Sequence, residues 1–99
     1  MNLQALMKQA QSMQKDMLKI KNEIDTMVFE GVSSFVKVSV NGKKEVLSIE
    51  IGDSAKDLLD DLSMLSDMIV IALNDAFKKV DKTTEQKMGK YSNMMPGLM

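Results

Sequence analysis

Apolar residues recur with a seven-residue period from the start of the chain. Leu3, Ala10, Met17 and Ile24 occupy one position of the heptad, and Leu6, Met13, Ile20 and Met27 follow three residues after each. Neither Gly nor Pro interrupts Leu3 to Met27, so the spacing predicts a single helix of about 25 residues, nearly ~40 Å long at 1.5 Å per residue. After Met27 the period shortens. Val36, Val38 and Val40 alternate with Lys37 and Ser39, and Leu47, Ile49 and Ile51 alternate with Ser48 and Glu50, which predicts two half-buried strands. Asn41-Gly42-Lys43-Lys44 lies between them, and Asn-Gly readily adopts positive φ, so the two strands should form an antiparallel hairpin. Val28 to Val32 supplies a preceding edge strand, with Gly31 marking a bulge or bend. Gly52-Asp53-Ser54 then offers a cap for a short acidic helical turn over Ala55 to Leu62. From about Ser63 a long helix follows, with Gly89 as its expected stop and Leu65, Ile69, Ala72, Leu73, Ala76, Phe77 and Val80 on one broad face. Val70 and Ile71 widen that face, which implies burial from two directions.

The expected fold class is therefore α+β: a long N-terminal helix, a three-stranded antiparallel sheet and a long C-terminal helix in two layers. One domain spans residues 1–90, and residues 91–99, containing Asn93, Pro96 and Gly97, read as a flexible tail. A strand of about six residues covers only ~20 Å, so the first helix overhangs the sheet. Its overhang still carries the apolar seam, including Leu6, Met13, Met17 and Ile20, and such a stripe calls for cover from another chain. A homodimer is the economical solution.

Composition narrows the chemistry. At 99 residues the chain has room for one modest core. Cys, His and Trp are all absent, which removes the commonest nucleophile, general base and zinc ligands. No enzyme activity, cofactor, metal or small-molecule substrate is expected. The longest apolar run, Met68 to Leu73, is far shorter than a membrane span of roughly 20 residues, and no continuous signal-peptide core opens the chain, so a cytoplasmic protein with no membrane partner is expected.

Charge changes the picture most. The formal net charge is −1, yet the ends are basic and the middle acidic. Lys8, Lys15, Lys19 and Lys21 face only Asp16 near the start; Lys78, Lys79, Lys82, Lys87 and Lys90 face Asp81 and Glu85 near the end. Between Glu45 and Asp75 the carboxylates dominate, with Lys56 the sole lysine. The local field rather than the total steers a charged partner, so a formally acidic protein can still bind a polyanion. All thirteen basic residues are lysine. Lysine acts as a flexible point charge, whereas arginine makes the usual bidentate contact to guanine, so any nucleic-acid contact should favour phosphates.

Three segments bear a resemblance to a known family: Met7-Lys8-Gln9-Ala10-Gln11-Ser12-Met13-Gln14; Val36-Lys37-Val38-Ser39-Val40-Asn41-Gly42-Lys43 with Glu45-Val46; and Ala72-Leu73-Asn74-Asp75-Ala76-Phe77-Lys78-Lys79, running on to Glu85-Gln86-Lys87-Met88-Gly89. With these and its Pro96-Gly97 ending, the chain resembles the YbaB/EbfC family of bacterial nucleoid-associated DNA-binding proteins. The resemblance implies a three-stranded antiparallel sheet with helices, a tweezer-like homodimer that binds DNA through projecting helices, and roles in nucleoid organisation and gene regulation. It nominates Lys8, Lys78, Lys79 and Lys87 as DNA-binding residues. The helical wheel adds Lys15, Lys19 and Lys82, which point away from the apolar faces. The chain departs from the commoner family pattern in lacking a glycine cluster before the second strand, where Ser33-Ser34-Phe35 stands.

Plainer readings stand beside these. Single lysines are usually solvated surface, and acidic runs such as Asp57, Asp60 and Asp61 are usually solvated too. Asn74 and Asp75 interrupt an apolar face, and capping of a sheet edge or a dimer contact explains them as well as chemistry does. Met13, Met17 and Met27 fall on the seam and fit core or dimer packing, whereas Met94, Met95 and Met99 fit no pattern. The alternative function is an adaptor whose seam and methionines bind another protein. Lysine-mediated binding of double-stranded DNA must fall steeply with salt, whereas apolar docking tolerates it.

Overall fold

The computed structural model describes residues 2–53 and 61–92. Helix α1 spans Leu3–Thr26, and it is followed by strands β1 (Val28–Ser33), β2 (Val36–Asn41) and β3 (Val46–Ile51) and by helix α2 (Leu62–Ser92). The strands form one antiparallel sheet in the order β1-β2-β3. Fold class and element order match the sequence expectation. The short acidic helix expected over Ala55 to Leu62 falls almost entirely outside the described residues, as does the tail from Asn93.

Local chemistry sets the ends of each element. The Asn2 side chain accepts the Gln4 N–H at 2.9 Å and caps α1. Asp61 does the same for α2, accepting the Met64 N–H at 3.0 Å. β1 and β2 are joined by the two-residue turn Ser34-Phe35, in which Ser34 has φ 56°, in the manner of a type II′ turn that follows the twist of its strands. The β2–β3 connection is closed by Asn41. Its backbone pairs with Glu45, its C=O accepts the Lys44 N–H, and its Oδ1 accepts the N–H groups of Lys43 and Glu45. Positive φ falls on Lys44, at 63°, rather than on the Asn-Gly pair.

Both early glycines answer to tertiary packing. β1 keeps an unbroken register through Gly31, so there is no bulge at this residue. A Cβ at Gly31 would run into the Ala72 carbonyl and lie 2.6 Å from the Ala76 nitrogen, so its absence lets α2 lie directly on β1. Gly42 likewise gives way to the backbone of α1 at Ile24. The sheet irregularity is instead between Ser39 and Val40, where β2 meets β3. Gly89 is not a stop: α2 runs through it to Ser92. The neighbouring Met88 is buried, and that packing outweighs a helix-interior cost of about 1 kcal/mol for glycine.

α2 lies across β1 and β2. Val36, Val38 and Val40 are fully buried beneath it with Phe29, Ala72, Ala76 and Val80. The opposite face of the sheet is exposed and mixed, with Val28 and Val32 beside the Lys37–Glu30 ion pair at 3.3 Å. β3 lies beyond the cover of α2, and each of its residues is exposed. The expected alternation is present in β3, but its apolar side is not buried within the chain. Past the sheet, α2 turns its last turns to α1, so that Val80 and Ile24 share the core and Met88 borders a groove with Met17. The helices are antiparallel and offset, and the molecule is 70 × 19 × 14 Å. Much of the overhang of α1 is therefore covered by α2 of the same chain. Met17 and Ile24 are buried and Met13 and Ile20 half-buried, whereas Leu6 is 40% and Leu3 71% exposed.

Candidate nucleic-acid interface

The lysines divide according to what their ammonium groups already touch. Lys79 Nζ donates to the Glu30 carbonyl at 2.7 Å and lies 3.4 Å from Asp75 Oδ2. Asp75 Oδ2 in turn accepts the Val32 N–H at 3.1 Å. One helical turn of α2 thus supplies an acceptor and a donor to the outer edge of β1, where no strand pairs. That hydrogen bond from Val32 is the main cause holding the Asp75 carboxyl below its ordinary 3.8; burial opposes it, and Lys79 and then Lys78 add to the lowering. Lys44 is paired with Asp81 at 2.8 Å. Asp75 is one of the sheet-edge caps that the sequence left open; Asn74 stays exposed beside it, lining a groove with Val32, Ile71 and Lys78.

Lys8, Lys15, Lys19, Lys78, Lys82 and Lys87 are exposed, and none is within 4.0 Å of a carboxylate among the described residues. They occupy three places. Lys15 and Lys19 follow Gln14 and Leu18 along α1, which line a groove with Met88, and Lys87 precedes Met88 on α2, so these three stand at the same level along the helix pair. Lys78 and Lys82 lie nearer the sheet, and Lys8 sits farther out on α1, beyond the end of α2. Lys21, four residues after Met17 of the seam and so beside it, lines the same groove with Gln14, Met17 and Leu18 and joins the first group. Its flanking heptad position was the signal in the sequence; the approach of Met88 was not.

The helix pair therefore presents flexible cations from both of its helices at one level, suited to neutralising phosphates along a duplex rather than reading base edges. Among the described residues no group of three or more acidic or other metal-ligating side chains could hold a metal ion, and no helix is long and apolar enough to cross a membrane.

The sequence model of the YbaB/EbfC DNA-binding family matches residues 1–95. A nucleoid-associated protein of Ligilactobacillus salivarius is 44% identical over 100 aligned residues, covering 99% of this chain and 95% of that one. One from Pelotomaculum thermopropionicum is 41% identical, covering 98% and 95%, and one from Streptococcus pneumoniae 39%, covering 97% and 98%. The crystal structure of an uncharacterized Helicobacter pylori protein superposes with a TM-score of 0.71 at 27% identity, covering 96% of this chain and 98% of that one.

Proposed function

Because the chain belongs to the YbaB/EbfC DNA-binding family, we propose that it is a nucleoid-associated protein that binds double-stranded DNA as a homodimer, without enzymatic activity, in the cytoplasm at the nucleoid. The observation that carries this reading is the sorting of its lysines. Three are tied to carboxylates or backbone near the sheet, while Lys15, Lys19 and Lys87 stand unpaired among the described residues on the helix pair, with Lys78, Lys82 and Lys8 beside and beyond them. Phosphate clamping by these side chains releases counterions and needs no fixed base contacts, and sequence preference then comes from DNA shape. Wrapping or bending under such a clamp links it to nucleoid organisation and gene regulation. Lys79 contributes charge from its place on the β1 edge rather than by reaching out.

The homodimer is supported by β3. Val46, Leu47, Ile49 and Ile51 are each about half exposed in the isolated chain, and Leu62, Met64, Val70 and Ile71 of α2 are exposed as well. A second copy covers that surface by twofold symmetry and doubles the number of lysines.

Fluorescence anisotropy of the full chain with a labelled random-sequence duplex tests the reading. Between about 50 and 200 mM salt, affinity should fall by roughly 10³-fold or more if six or more phosphates are contacted. Replacing Lys15, Lys19 and Lys87 together by Glu should weaken binding to all sequences alike and flatten the salt slope. Absence of binding at low salt by a folded protein overturns the proposal.

A further inference from the structure

Beyond Val80 the two helices are held together by thioethers. Val80, Thr84 and Met88 follow one another at four-residue steps and so share one face of α2, and of the described side chains after Val80 only that of Met88 is buried. Thr84 is half-buried and turns its hydroxyl back to the Val80 carbonyl at 2.9 Å. On α1 the matching stretch of the seam has Met17 buried and Met13 and Ile20 half-buried. The outer half of the pair therefore rests on Met88 and Met17, which are 7% and 8% exposed.

Both residues are packed, yet they are not sealed from solvent. With Gln14, Leu18 and Lys21 they line one open groove of about 340 Å³, which admits an oxidant as small as hydrogen peroxide. The chain has eleven methionines and no cysteine, so two-electron oxidation at sulfur falls on thioethers alone. A sulfoxide replaces a flexible apolar group by a strongly polar one. On a seam shared with Met13, Ile20 and Ile24 the new oxygen needs a hydrogen-bond partner that apolar side chains do not supply, and parting of the helices lets water supply it. Met7 and Met64 differ, being 56% and 46% exposed, because oxidation there disturbs little packing.

We infer that Met17 and Met88 form an oxidation site through which a peroxide opens the outer half of the helix pair. The thioether sulfur attacks one peroxide oxygen with its lone pair. An S–O bond forms as the O–O bond breaks, and the hydrogen on the attacked oxygen passes to the departing one, which leaves as water. Sulfur is oxidised by two electrons and the peroxide is reduced by two. Lys15 and Lys19 stand two residues to either side of Met17, and Lys87 directly precedes Met88, so opening separates the lysines of one helix from that of the other. The resulting loss of duplex affinity rests on the DNA-binding reading proposed above; the opening itself does not. Reduction by a methionine sulfoxide reductase restores the thioether and closes the pair.

The test treats the folded, full-length protein with hydrogen peroxide beside a Met17→Leu, Met88→Leu double variant, whose similar side-chain volume keeps the seam packed and whose other methionines oxidise alike. Peptide mass spectrometry follows each sulfur. In the wild type both Met17 and Met88 should take up one oxygen, and hydrogen exchange over residues 13–20 and 84–88 should then speed by about tenfold or more while that of β2 stays unchanged. Affinity for a random duplex at about 50 mM salt should fall by about tenfold. The double variant should show neither change. Faster exchange in a protein that never bound the duplex supports the site and removes the DNA reading alone, whereas duplex affinity that survives the faster exchange overturns the coupling to the lysines. Oxidation of Met17 and Met88 only after unfolding in urea overturns the inference. So does unchanged exchange with both sulfurs oxidised, or the same change in the double variant.

Discussion

The two edges of the sheet solve the same problem in opposite ways. Any edge strand presents unpaired N–H and C=O groups that invite another strand. At β1 they are answered from within: Asp75 accepts the Val32 N–H and Lys79 donates to the Glu30 carbonyl, so the i,i+4 pair on α2 acts as a surrogate strand. At β3 no hydrogen bond or ion pair from α2 is seen among the described residues, and the strand keeps apolar Val46, Ile49 and Ile51 exposed. The difference is produced by where the helix lies. Gly31 draws α2 onto β1, and a helix seated there cannot also reach the third strand. In the isolated chain one edge is closed by the chain's own side chains and the other is open; the proposed dimer would use the open one.

The most damaging way to break this contrast is to lift α2. Gly31→Val places side-chain atoms where the Ala72 carbonyl and Ala76 nitrogen already are, and should cost about 3 kcal/mol or more, read as a fall in the urea midpoint with loss of both edge contacts. Next in size, Ile49→Lys puts a charge on the open edge. It should leave the fold of the subunit intact but raise the dissociation constant of the proposed dimer about a hundredfold or more, measured by sedentation equilibrium or light scattering over a dilution series; the equivalent change at Val32 on the closed side, Val32→Lys, should leave association unaltered. Asp75→Asn sharpens the electrostatic half. Because the Asp75 pKa is depressed in the folded chain, its charge contributes stability that is fully present above the ordinary value and is lost as pH falls through the lower, folded value. The wild type should therefore exceed the variant in urea midpoint near neutrality and converge on it in acid, a smaller effect than that of Ile49→Lys on association. The smallest change touches neither edge: Ser34→Gly relieves the positive φ in the β1–β2 turn and should stabilise the chain by about 1 kcal/mol without altering association or DNA affinity.

Periodicity carried the elements, because it is a property of each segment taken alone. The heptad from Leu3 placed α1 to within a residue or two, and the Val36-Val38-Val40 alternation placed β2 with its buried side correctly assigned. What one segment does to another was not legible. Gly31 and Gly42 have the composition of turn or bulge glycines, yet both are glycine because a helix backbone passes against them. Gly89 looks like a helix terminus, but Met88 packs on α1 and the helix continues. Leu47, Ile49 and Ile51 alternate as regularly as the valines of β2, and only the course of α2 decides that one strand is covered and the other is not. The lysines are alike in sequence. Lys79 differs from Lys78 because the former faces the Glu30 carbonyl, a distinction between neighbours that charge patterning cannot make.

The offset of the two helices also has a mechanical side. From the sheet out to about Met13 the projection is a pair of rods joined along their length, and beyond Met13 the described structure is a single rod. Two bonded beams resist bending far more than one, and a short lone helix gains little rigidity from its own backbone. A lateral load at the tip is therefore taken up as deflection in the first few turns of α1, while the level carrying Lys15, Lys19 and Lys87 moves as one piece with the sheet, so that any strain a curved duplex imposes there is transmitted to the base instead of being lost in the lever.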